Sequence, residues 1–122
     1  MQEETFSLSP KQFREQHLNS TQNKEWLTEL EIKSQTEILE DMKGRLERMK
    51  SHAEICQNYI KEHLSDHTYE MRQRRLQEEE SLKEWQKKIK EQEEAIKATE
   101  QKIEGLEINL SQLKVYIKNI TN

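Results

Sequence analysis

From about Lys24 onward, apolar residues recur at alternating spacings of three and four, the pattern of a helix with one apolar face. Leu39, Met42, Leu46, Met49, Ala53, Cys56 and Ile60 form one seam. A second seam runs through Leu82, Trp85, Ile89, Gln92, Ile96, Thr99, Ile103, Leu106, Leu110, Leu113, Ile117 and Ile120. Heptads sustained over this length predict helices that pair by inserting side chains into each other's holes. The two seams are out of phase, and the extra residue lies between Ile60 and Leu64. Such a discontinuity changes the winding of paired helices or marks a boundary. The polar stretch that follows, residues 65–81, puts Arg75 and Glu78 at seam positions, so the middle of the chain is its weakest-packed part.

Upstream, Ser9 can cap a helix with Pro10 at its first position and Gln12 at the third, which is a capping box. Leu8 and Phe13 stand at the spacing of a hydrophobic staple. The spacing predicts a short helix over 10–18, broken by the polar run Asn19 to Asn23. Four segments result: an N-terminal segment with its capped helix (1–23), a first coiled-coil segment (24–63), a polar heptad-discontinuity region (64–81) and a second coiled-coil segment (82–122). The expected fold is all-α, a short capped N-terminal helix followed by one long coiled-coil helix. The alternative is an antiparallel helical hairpin turning near Ser65 to Thr68, a stretch that lacks Gly and Pro.

Composition narrows this further. The chain of 122 residues is 36% charged and only 31% hydrophobic, with two Gly and one Pro. Ordinary globular domains run at about 45–50% apolar and about 25% charged, so long solvated helices are the reading that periodicity supports. Its 20 basic and 24 acidic residues are interspersed, net −4, which makes no footprint for a polyanion. A single cysteine, Cys56, builds no intrachain disulfide framework and suits a reducing compartment. No signal-peptide pattern and no apolar run near the roughly 18 residues of a membrane span is present.

The partner seam comprises Leu39, Met42, Leu46, Met49, Cys56, Ile60, Leu82, Trp85, Ile89, Ile96, Ile103, Leu106, Leu110, Leu113 and Ile117. In its C-terminal half, β-branched residues at "a" and leucine at "d" favour two parallel strands, with Lys88 facing Glu93 and Lys102 facing Glu107 across a homodimer. Trp85 is bulky for such a layer, and Gln92 and Thr99 weaken it. Off-seam Ile108, Val115 and Tyr116 make the last turns apolar on several sides, and Trp26, Leu27, Leu30, Ile32 and Ile38 form a broad patch near the start of the long helix. A helix apolar around its circumference is covered by more than one neighbour. The expected partners are other coiled-coil proteins, homo- or heteromeric, with no nucleic acid, membrane or small-molecule substrate.

His52, Cys56, His63 and His67 share one helical face, which raises metal binding. At helical rise His52 and His67 lie about 22 Å apart, so one ion cannot collect them; a site would need His63 and His67 from two chains. No cofactor is expected. No phosphate loop, nucleophile elbow or carboxylate pair is visible, and the chain reads as a non-enzyme. Arg72, Arg74 and Arg75 precede a leucine and isoleucine seam as in a basic zipper, but Glu78 to Glu80 follow at once.

In its low Gly and Pro content and its Lys/Glu/Gln-rich heptads, the region from Lys24 to Ile120 resembles the small coiled-coil subunits of eukaryotic cytoskeletal assemblies, such as ciliary axonemes, centrosomes and kinetochores. The resemblance implies a structural strut or adaptor, cytoplasmic and cytoskeleton-associated. The alternative is a helical subunit of a vesicle-tethering or organelle-positioning complex.

Overall fold

A computed structural model describes residues 9–121. They form two helices, α1 (Pro10–Glu62) and α2 (Tyr69–Thr121), that run antiparallel as a hairpin with contacts along both. The expectation of one long coiled-coil helix is therefore corrected, and the hairpin alternative holds. The seams predicted to meet a partner chain pack against each other within one chain.

The start of α1 follows the sequence rule. The Gln12 amide donates to Ser9 Oγ at 3.2 Å, and the Ser9 amide donates to Gln12 Oε1 at 3.0 Å, closing the capping box. Leu8, the other half of the expected staple, lies outside the described residues. The break expected at Asn19 to Asn23 is absent, because α1 passes through it. Its polar side chains find helical solutions: the Thr21 hydroxyl donates to the His17 carbonyl at 2.8 Å, which satisfies it while the residue is buried.

The turn occupies residues 63–68. Its backbone needs no glycine, since no non-glycine residue among those described has a positive φ. Side chains close it instead. Asp66 Oδ1 accepts from the Thr68 amide at 3.1 Å, an Asx turn, and the Asp66 amide donates to the His63 carbonyl at 3.3 Å. Thr68 then caps α2, its Oγ1 accepting from the Met71 amide at 3.4 Å. Arg75 reaches back to donate to the Leu64 carbonyl at 2.9 Å, satisfying an acceptor that the end of α1 leaves open. Lys61 in the last turn of α1 and Glu70 in the first turn of α2 suit the helix dipoles. The phase shift between Ile60 and Leu64 is thus the junction of two helices, each keeping its own register.

The chain divides into a terminal unit, Met1–Gln35 with Lys102–Asn122, and a turn unit, Thr36–Gln101. In the turn unit Leu39, Cys56 and Ile96 are buried. Met42, Leu46, Met49, Ile60, Leu82, Trp85 and Ile89 are half-buried beside them. In the terminal unit Ile103 and Thr21 are buried, with Leu18, Ile32, Leu106, Leu110, Leu113 and Ile117 half-buried. No large side chain is fully buried among the described residues. Two helices make a seam one side chain deep, so each layer removes only part of its apolar area from water, at about 25 cal/mol per Å².

Candidate interaction surface

The residues assigned to a partner seam are occupied inside the chain, on the faces the helices turn toward each other. The polar layers that looked weak have internal partners. Gln92 Nε2 donates to the Met42 carbonyl at 3.0 Å, and the Thr99 hydroxyl donates to the Ala95 carbonyl at 3.0 Å. Trp85 is accommodated by stacking: its ring lies 4.8 Å from the His52 ring at an interplanar angle of 11°, and the Lys88 ammonium sits 4.9 Å over it. Lys102, expected to face Glu107 of another chain, pairs with Glu31 at 3.8 Å.

The histidine stripe disperses. His52 stacks on Trp85, while His63 tilts against Tyr59 with centroids 4.4 Å apart. His67 is exposed in the turn. Cys56 is buried beside Glu78, and burial first, then the thiol's hydrogen bond to that carboxylate, pushes its pKa above the ordinary 9.0. Among the described residues no group of three or more His, Cys, Asp or Glu side chains converges on a metal position. The fourth histidine, His17, carried no signal in the sequence; its Nε2 lies 2.6 Å from Tyr116 Oη.

The internal seam leaves large apolar residues exposed in both units: Ile38, Ile55, Leu64, Tyr69 and Leu76 in the turn unit, and a further set in the terminal unit. Trp26 is 57% exposed, Leu30 44%, Ile108 52% and Val115 60%. Leu30, Ile108 and Val115 belong to two further stripes with heptad spacing, each opposite the seam of its own helix, and Trp26 flanks the first of them. On α1 the stripe is Gln16, Ser20, Asn23, Leu27, Leu30 and Ser34; on α2 it is Gly105, Ile108, Gln112, Val115 and Asn119. Neither contains a charge, in a chain that is 36% charged. The corresponding outer positions of the turn unit do carry charges, among them Glu37, Asp41, Arg48, Glu84, Lys87 and Glu91.

One side of the terminal unit is more open than the other. There an open groove of about 630 Å³ is lined by Lys24, Leu27, Thr28, Asn109, Gln112, Leu113 and Tyr116. A Cβ built on Gly105, one heptad before Gln112, would meet nothing within 4 Å. The opposite side is charged and carries the Glu29–Lys114 pair at 3.8 Å. These uncharged stripes were legible as spacings, but only the hairpin shows that they are free while the stronger seams are spent.

No family model matches the chain, and neither a curated protein nor a solved structure does. The expected role as a cytoskeletal coiled-coil strut is corrected accordingly. No relationship supports it, and the long partner-binding helix on which it rested is instead a hairpin closed on itself. No helix among the described residues is long and apolar enough to cross a membrane.

Proposed function

We propose that the chain is a non-catalytic, cytoplasmic helical subunit that joins other helical proteins, of the kind found in vesicle-tethering or organelle-positioning complexes. The observation that carries this reading is the pair of uncharged stripes on the outer faces of the terminal unit, where Leu30, Ile108 and Val115 stand exposed with Trp26 beside them. Helices that already bury one face and present a second at heptad spacing suit insertion between neighbouring helices. A partner helix there would gain desolvation of large aromatic and branched side chains without stripping water from charges. The mixed charge elsewhere favours specific orientation over adhesion to polyanions.

The test is depletion of the chain from living cells, with vesicle and organelle positions followed by microscopy, and rescue by the natural chain or by Trp26→Glu/Val115→Glu. Dispersal of an organelle or vesicle class, rescued by the natural chain and not by the variant, is expected. Unchanged positions, or equal rescue by the variant, would overturn the reading. So would an enzymatic activity that survives purification to homogeneity.

A further inference from the structure

The groove side of the terminal unit has a recognisable occupant. We infer that it binds a second copy of this chain, closing a four-helix bundle about a two-fold axis parallel to the helices. The inference rests on the reading of this unit as a helix-binding surface and names one of its partners.

The groove side carries Glu31 and Lys102, paired at 3.8 Å, with each side chain about half exposed. A two-fold parallel to the helices lays α1 of one copy over α2 of the other, at matching levels. Glu31 then meets the second copy's Lys102, and Lys102 meets its Glu31, so four charges alternate in sign around a square. A self-complementary patch of this kind is what an isologous dimer requires. Lys24, the cation lining the groove, lies at the level of the second copy's Asn109 and Gln112, whose amide oxygens can accept from it.

Within the unit, Glu31 is level with Lys102 and His17 with Tyr116, which puts Leu27 near the level of Gly105. Leu27 is 50% exposed, and the space a side chain at 105 would occupy is empty. Stacked copies lay each Leu27 against the other's Gly105, where no side chain stands in its way.

From Phe13 to Ser34 the groove side extends about 32 Å at helical rise and about 20 Å across two helices. The resulting footprint of roughly 650 Å² per copy approaches the ~800 Å² per partner of a stable interface. The unit also has reason to seek cover: α1 contributes Thr21, Glu25 and Thr28 to its own internal seam, while Phe13, Leu27 and Tyr116 remain 65%, 50% and 47% exposed. Outer residues such as Trp26 and Val115 stay free in this arrangement for other partners.

The experiment is the solution mass of the full chain by light scattering or sedimentation, at concentrations up to about 100 µM. Twice the chain mass of 14.8 kDa is expected. A Cβ added at Gly105 meets nothing within one chain and glutamine is a better helix former than glycine, so Gly105→Gln should keep the helical signal while raising the dimer dissociation constant at least ~30-fold, about 2 kcal/mol. Glu31→Lys and Lys102→Glu should each weaken self-association, and mixing the two variants should restore a dimer of one of each. A wild-type mass of 14.8 kDa throughout, a dimer indifferent to Gly105→Gln, or a failure of the mixed variants to pair would each overturn this inference. None of these outcomes touches the organelle-positioning test, which stands or falls by itself.

Discussion

The stack of His52 on Trp85 separates the hairpin from an extended helix. The residues are 33 positions apart, about 50 Å along one helix at 1.5 Å per residue. In the hairpin their rings lie 4.8 Å apart and nearly parallel. Offset-stacked rings contribute about 0.5–1.5 kcal/mol beyond their buried area. A double-mutant cycle with His52→Ala, Trp85→Ala and the pair measures that coupling directly. Trp85→Ala alone should cost about 2 kcal/mol, below the ~3–5 kcal/mol of a fully buried tryptophan because the ring is half-buried. His52→Ala should cost about 1 kcal/mol, since the imidazole is otherwise exposed. Urea unfolding followed by circular dichroism, at one fixed protein concentration so that self-association contributes equally to all four proteins, gives the four free energies. The double variant should be less destabilised than the sum by about 0.5–1.5 kcal/mol. Coupling within ~0.3 kcal/mol of zero would mean the rings do not meet, and the register of the turn unit would be wrong.

Three other consequences can be measured with the same material. Cys56 should react slowly with a thiol reagent in the folded chain and rapidly in urea, because it is buried and protonated. Its raised pKa favours the thiol in the folded state, so its contribution to stability is complete below pH 9 and lost as pH rises through the folded value; a melting temperature flat across that range would count against the burial. Asp66 behaves in the opposite sense. The Thr68 amide and hydroxyl lower its pKa from 3.8, so its contribution is present above that pH and lost as pH falls below it, and Asp66→Asn should shift the acid limb of stability, visible by thermal melts from pH 5 to pH 2. Gly44→Ala should raise stability by about 0.8–1.0 kcal/mol, since the added Cβ meets only the end of the Arg48 side chain at 3.8 Å; a lower urea midpoint would show a close approach at that position.

Much of this molecule is written locally. Heptad spacing determined the faces buried from Leu39 to Ile60 and from Leu82 to Ile120, though not the passage of α1 through Asn19 to Asn23, and Ser9, Pro10 and Gln12 determined where α1 starts, because caps and periodicity depend on residues within one or two turns. The phase change between Ile60 and Leu64 even located the junction. What it could not determine was whether the chain continues or reverses there. A seam of Leu, Ile and Met packs equally well on another chain or on its own. The usual marks of reversal were also missing: the turn satisfies its backbone with Asp66, Thr68 and Arg75 instead of a glycine at positive φ. Arg75 looked like a charge lost in a seam until the fold brought it to the Leu64 carbonyl. Only the tertiary structure decided which apolar face is already spent. It paired the strong seams within the chain and left the weaker, uncharged stripes of the terminal unit outside, because a two-helix layer can cover one face of each helix and no more.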